Sequence, residues 1–368
     1  MRTVTSRKAL QLARFCAVFS ALSLAYFNHQ TAQAASAGSA YSIVDLGSFS
    51  QSSGDTIRGL NQFGELVGGS GHAGRGTRAF RLSNTELETF NGLRGADRSI
   101  AYASNEARAV VGSSNTATSL RAFLWTRGGG VKDLGTLPGD TGSEAFGINS
   151  KNQIVGYSSG PRGIEAVMWS SDGKIQGLGK LRPGDHSRAL AINDAGAVVG
   201  FSGNSEKTTA FLWTPNGWMI DLGVLPGDVD SRAMSINRHN QVVGYSSGPA
   251  GTSAFLWTRD GPMKKIGGFP GADYSRAVSI NERGEVVGTS GNATGTKAFL
   301  WTAKRGLINL DTVLPVGSDF RLTEAVAIND NGSILVVGYD EDDGDADHHD
   351  GHGNHEAPAR IFLLVPRR

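Results

Sequence analysis

An asparagine that closes a short apolar run recurs at Asn61, Asn105, Asn149, Asn193, Asn237, Asn281 and Asn329, with successive spacings of 44, 44, 44, 44, 44 and 48 residues. A second column keeps the same register, with Trp125, Trp169, Trp213, Trp257 and Trp301 each 44 residues apart. Repetition at a period in the low forties restricts the chain to a solenoid or a propeller, because each unit can bury its apolar face only against the next. Within one unit four short strands are expected; in the fifth they fall at 232–237, 241–246, 254–258 and 263–266. Clusters of Gly, Pro, Asn and Ser separate them, and no stretch carries a helical period over ten or more residues. Four strands per unit select propeller blades over helical arrays.

The two ends complement each other. Residues 41–47 (YSIVDLG) match the fourth-strand segments 131–135 and 219–223, whereas the last unit stops after its third strand at 361–365. Pairing 41–47 with 361–365 would complete the last unit, close the ring and remove an open strand edge. The expected fold is therefore all-β: a seven-bladed β-propeller of four-stranded blades, one domain over 35–368, closed by its N-terminal strand.

Upstream of it, Arg2, Arg7, Lys8 and Arg14 precede or flank an apolar run at 15–27, and Ala32-Gln33-Ala34 forms a small-x-small cleavage site. This pattern predicts an export signal over 1–34, cleaved near Ala34, and a secreted or periplasmic product. The apolar run is shorter than the roughly 20 residues a spanning helix needs, so no membrane span is expected. The single cysteine, Cys16, lies inside the signal, which leaves the mature chain without disulfide or thiol chemistry. Loss of the four basic residues leaves 31 Lys+Arg against 34 Asp+Glu. Such a balance argues against a nucleic-acid partner, which demands a clustered basic excess. A monomer is expected.

The segments DLGTLPGD, AFGINSKNQIVGYSS and AFLW, repeated in register from residue 41 to about 339 and returning at 361, resemble the HAF-repeat family of extracellular bacterial proteins. The resemblance implies export and a repeated strand fold, and little chemistry. The family's histidine before Ala-Phe is replaced here by Arg78, Arg121, Glu165, Thr209, Ser253 and Lys297. No role for such a histidine carries over.

The Ala-Phe-Leu-Trp runs read as strands buried on both faces, with the Trp column in the core; Trp218, outside the column, is the better candidate for an exposed aromatic. The Asn column and its followers read as hairpin turns, and Leu-Pro-Gly-Asp (137–140, 225–228) as the turn between units, its Asp capping local amides. More informative is the position five residues before each column Asn, which holds Thr56, Ile100, Glu144, Arg188, Arg232, Arg276 and Glu324. If the first strand of a unit is the inner one, Arg188, Arg232 and Arg276 share one sector of a channel mouth, with Glu144 beside them and Asp185, Asp230 and Asp273 in the same loops. The plainer alternative is a set of Arg–Asp surface pairs, each worth little. The functional one is a site for an anionic or hydroxyl-rich ligand, since the Arg fork suits carboxylates and sugar hydroxyls.

One unit breaks the pattern. Its second-to-third-strand connection is lengthened by about a dozen residues, and 340–356 hold eight acids and four histidines with no Lys or Arg. Such a segment cannot build a core and reads as a solvated loop. His348, His349, His352 and His355 with Asp345, Asp347 and Asp350 also offer ligands for zinc, copper, nickel or calcium, though the spacing departs from a calcium loop at His348 and Asn354. Topology would hang this loop over the arginine sector. No Ser-His-Asp set, phosphate loop, His-Glu-x-x-His or paired-carboxylate signature is present. The leading expectation is a binding or scaffolding protein for carbohydrate or another protein; the alternative is a lyase or hydrolase acting on a polyanionic sugar at the channel mouth, with a divalent metal.

Overall fold

The computed structural model describes residues 40–48, 56–72, 76–83, 86–340 and 359–367. The fold is all-β, and its antiparallel strands run in sequence order within each unit. Five sheets have four strands each, and a sixth has eight. In the eight-stranded sheet the group that begins with Asp230–Ile236 and the group that begins with Tyr274–Ile280 are joined through one parallel bridge, Thr252 to Tyr274. No helix among the described residues is long and apolar enough to cross a membrane. The segment 1–34, read as an export signal, lies outside the described residues.

The first strand of every unit is the inner one. Thr56–Leu60, Ser99–Ser104, Gly142–Ile148, His186–Ile192, Asp230–Ile236, Tyr274–Ile280 and Phe320–Ile328 each touch the first strand of the next unit, and Phe320–Ile328 touches Thr56–Leu60. Each carries a bulge that leaves one residue unpaired, Arg58, Tyr102, Phe146, Leu190, Met234, Val278 and Val326, and the last strand carries a second at Thr323. Bulges sharpen local twist, which suits short strands packed steeply around a common centre.

Between neighbouring sheets lies the core. Phe123, Phe211, Phe255 and Phe299 are 0% exposed, and Trp125, Trp169 and Trp213 are buried, while Trp257 and Trp301 are half-buried. In the first unit Leu82 stands in the Trp column, pairing with Leu66 as Trp125 pairs with Val110. Each such side chain contributes about 1.5–3 kcal/mol. Buried serines stitch one unit to the next: Ser143, Ser187, Ser231 and Ser275 accept the backbone N–H of Ala122, Ala166, Ala210 and Ala254 at 2.8–3.0 Å.

The strand Tyr41–Ser48 pairs antiparallel with Arg360–Pro366, Ser42 opposite Val365 and Val44 opposite Leu363, as the sequence predicts. Leu46 is 1% exposed and Asp45 is ion-paired with Arg360. The sheet order is therefore N-terminal strand, last strand, then the two strands before it.

The Asn column and its followers form hairpin turns, as expected, and the Asn side chains take a second role as well. The left-handed backbone falls on the third residue after each Asn, at Gly64, Arg108, Asn152, Gly196, Asn240, Gly284 and Gly332, and not on the Asn itself. The column asparagines are buried at 2–5% exposure and link the units. The Nδ2 of Asn105 donates to the carbonyl of Asn149, Asn149 to Asn193, Asn193 to Asn237, Asn237 to Asn281, Asn281 to Asn329, and Asn329 to Asn61, at 3.0–3.2 Å. Asn61 turns its amide to Glu65 instead, at 2.8 Å. In most units the Asn Oδ1 also accepts the N–H groups two and four residues on, holding the turn.

Candidate functional site

The first strands, each packed against the next, have two unlike ends. At the end where the strands turn back, a cavity of about 200 Å³ is lined by Ile148, Ile192, Ile236 and Ile280 with Asn61, Asn105, Asn149 and Asn193. At the other end, where the chain arrives from the preceding unit, the column Thr56, Ile100, Glu144, Arg188, Arg232, Arg276, Glu324 is placed at the start of the inner strands. The flanks of the acidic segment belong to the same end: Asp340 pairs with Phe320, and Gly338 with Arg360. The metal-ligand candidates His348, His349, His352, His355, Asp345, Asp347 and Asp350 lie outside the described residues. Among the described residues no group of three His, Cys, Asp or Glu side chains is placed to hold a metal ion.

Arg188, Arg232 and Arg276 come together in one sector, and their partners are rings. The guanidinium of Arg188 lies 4.7 Å from the centroid of Tyr157, Arg232 lies 4.5 Å from Phe201, and Arg276 lies 5.0 Å from Tyr245 and 5.9 Å from Tyr274. In strand register Tyr157 opposes Glu144, Phe201 opposes Arg188 and Tyr245 opposes Arg232. Each Arg thus leans back over the ring of the unit before it. The result is one continuous run, Glu144, Tyr157, Arg188, Phe201, Arg232, Tyr245, Arg276, that alternates charge and ring across four units. A guanidinium lying on a ring keeps its planar orientation and loses less freedom when its N–H edge meets a ligand.

The expected Arg–Asp pairs do not form. Among the described residues none of the three arginines makes an ion pair with a carboxylate. Asp185 is 4% exposed and its Oδ2 lacks a hydrogen-bond partner among the described residues. Asp230 accepts from the backbone N–H and hydroxyl of Thr208 at 2.7 and 3.0 Å, and Asp273 is exposed. Nor does the Asp of the inter-unit turn cap amides through its side chain: Asp140 accepts from the hydroxyl of Ser158 at 2.7 Å. The turn itself closes through backbone, with the N–H of Asp140, Asp185 and Asp228 donating to Leu137, Arg182 and Leu225.

Glu144 ends the run on the acidic side. Two phenols donate to it, Tyr157 at 2.5 Å and Tyr102 at 3.2 Å. Burial and the adjacent Glu144 carboxylate push both phenols above their ordinary range, Tyr157 the further. Both therefore stay protonated donors at neutral pH, and Phe146 packs edge-on to Tyr102 at 5.1 Å. The aromatic members were legible in the sequence as the position eight residues after the column Asn, which is Tyr157, Phe201 and Tyr245 in the units before the three Arg units, and Gly69, Ser113, Thr289 and Val337 elsewhere.

No protein-family model matches the chain, and no curated protein sequence does. Solved structures do. The chain is similar to oligogalacturonate lyase in complex with manganese, at 11% identity and a TM-score of 0.57 over 90% of this chain and 95% of that one. It is similar also to a catalytically inactive virginiamycin B lyase from Staphylococcus aureus with quinupristin, at 12% identity and a TM-score of 0.55 over 89% of this chain and 100% of that one. Streptogramin B lyase matches at 12% identity and a TM-score of 0.52. These likenesses establish a β-propeller fold.

Proposed function

We propose that this protein is a ligand-binding propeller, exported to the periplasm or beyond, that holds a carboxylate-bearing carbohydrate across the Arg188–Arg232–Arg276 sector of its channel mouth. The observation that carries this reading is the alternating run of three guanidiniums and three rings, in which, among the described residues, no carboxylate is ion-paired with a guanidinium. A polyuronate chain offers carboxylates at regular intervals to the Arg edges and pyranose faces to the rings between them. The reading rests on positioned charge and not on a reacting group, since Glu144 is already engaged by two phenol hydroxyls. Oligogalacturonate, named with one of the structural neighbours, belongs to this ligand class and is the probe of choice. Titration calorimetry should find oligogalacturonate bound with an affinity that falls as salt rises, a neutral maltooligosaccharide bound far more weakly, and both differences abolished in Arg188→Ala/Arg232→Ala/Arg276→Ala. Wild-type protein that binds neither sugar contradicts the proposal.

We further propose that the ring has seven four-stranded blades and that residues 41–47 close it. The single bridge between Thr252 and Tyr274 is then an incidental contact between two blades, since every other pairing within that sheet is antiparallel and confined to one unit. Membership of the HAF-repeat family is part of the same proposal. Electron microscopy of single particles, or a crystal structure, counts the blades directly.

A further inference from the structure

Away from the channel, on the face formed by the hairpin turns, two grooves between neighbouring units are built at matching sequence positions from opposite materials. Between the first and second units six charged side chains fill the groove. Arg81, 2% exposed, donates to Glu65 at 2.9 Å and to Glu88 at 2.5 Å; Arg108 reaches Glu65 at 3.2 Å; Arg127 reaches Glu86 at 2.5 Å and Glu88 at 3.3 Å. Strand register carries these positions to the fourth and fifth units. Arg81 opposite Glu88 corresponds to Leu212 opposite Ile220, and the turn closed by Ser83 and Glu86 corresponds to that closed by Thr214 and Trp218. The offset of 132 residues, three repeats, takes Glu65 to Ala197, Arg108 to Asn240 and Arg127 to Arg259. Arg108 and Asn240 confirm the match, both in the left-handed region at φ 61° and 57°.

In this second groove the carboxylates are gone and one arginine remains. Ala197, Leu212, Trp218, Ile220, Asn240 and Arg259 all line a single concavity of about 490 Å³. Trp218 is 73% exposed at its rim, at a turn position held elsewhere by Glu86, Gly130, Lys174, Pro262 and Gly306, so the turn itself does not require an indole. Among the described residues Arg259 has no carboxylate partner. Asn240 spends its Oδ1 on the Nδ2 of Asn193 at 3.0 Å, and its own Nδ2 has no protein acceptor among them.

We propose that this groove binds an amphipathic carboxylate: an apolar ring or short alkyl body carrying one carboxylate group. Its body would lie against Trp218, Ile220 and Leu212, and its carboxylate would meet Arg259 where Glu86 and Glu88 meet Arg127 in the first groove. The Nδ2 of Asn240 would supply a further donor. A largely apolar lining with a single cation, Arg259, and few polar side chains, Thr214, Asn216 and Asn240, disfavours a neutral sugar, most of whose hydroxyls would be left without partners, and a polyanion, whose further charges would be buried against hydrocarbon.

The test uses the intact protein and 3-phenylpropionate as the probe, read by titration calorimetry and saturation-transfer NMR. Wild type should bind it, and 3-phenylpropanamide, the same shape without the charge, at least about tenfold more weakly. Arg259→Ala should weaken binding at least about tenfold. Trp218→Glu/Ile220→Glu, which restores the carboxylates of the first groove, should abolish binding while the protein melts within a few degrees of wild type. The channel-mouth triple alanine variant should bind the probe as wild type does, which separates this groove from the Arg sector. The proposal is overturned if wild type does not bind 3-phenylpropionate, if the amide binds as well, if Arg259→Ala has no effect, or if methyl glucoside occupies the groove in its place.

Discussion

The two ends of the same inner strands obey opposite rules. Where the strands turn back, every unit carries Asn; where they begin, the matching column reads Thr, Ile, Glu, Arg, Arg, Arg, Glu. The difference lies in what each side chain must satisfy. At the turn end one Asn holds two N–H groups of its own turn and the carbonyl of the next unit, so any replacement leaves several buried backbone groups unpaired. At the other end the backbone is already satisfied by the serine one residue earlier, as Ser187 serves Ala166 and Ser231 serves Ala210. The next position is thereby released from structural duty. Variation there is what lets one sector collect three guanidiniums, and it is where a ligand would be recognised.

Changes that attack the shared framework should have the largest effect. Removing residues 41–47 strips Tyr41 and Leu46 from the core and exposes the edge of Arg360–Pro366. A drop in melting temperature of at least about 5 °C is expected by calorimetry; a variant that melts like wild type would show that this strand does not complete the ring. Asn237→Ala should cost about 1–3 kcal/mol in urea unfolding, through the orphaned carbonyl of Asn281 and the N–H groups of His239 and Gln241. Oligogalacturonate affinity should not move, and a loss matching that of the arginine variants would mean the two ends are not separable.

Alkaline pH probes the join between framework and site. Tyr157, Tyr102 and Tyr41 all have phenols raised above the ordinary value of 10.0, chiefly by burial. A raised folded-state pKa means that their contribution to stability is fully present below about pH 10, where the unfolded phenols begin to ionise, and is lost as pH rises through the folded values. Unfolding free energy should therefore stay level through neutral pH and fall above about pH 10, by up to roughly 1.4 kcal/mol per pH unit for each group, with the melting temperature falling in step. Tyr157→Phe should flatten that fall; an unchanged slope would exclude Tyr157 as a source. Smallest of all, Arg276→Ala should change unfolding free energy by only about 0.5–1 kcal/mol, because Arg276 is exposed and its contact is a ring face. A loss of several kcal/mol would place it in the framework.

Much of this was readable from residue order. The repeat spacing gives four short strands per unit, and the likeness of 41–47 to 131–135 anticipates its pairing with 361–365. Both follow from the strand period, which is local. The Arg sector was legible as one column and the rings as another, but the contact between them was not. Whether Arg188 meets Asp185 or leans over Tyr157 depends on the distance between units, which no within-unit pattern encodes. The same holds for the column asparagines, whose donor reaches a carbonyl 44 residues away. The opposed grooves around Arg127 and Arg259 needed the register of the fourth strands before their positions could be matched.

The most direct test is the affinity of oligogalacturonate for wild type and for Arg188→Ala/Arg232→Ala/Arg276→Ala, measured by calorimetry at low salt with folding verified by melting. The Arg sector as ligand site predicts binding by wild type and a loss of at least about 100-fold in the variant, from two or more charge-assisted hydrogen bonds. Equal affinity in the two proteins would contradict it.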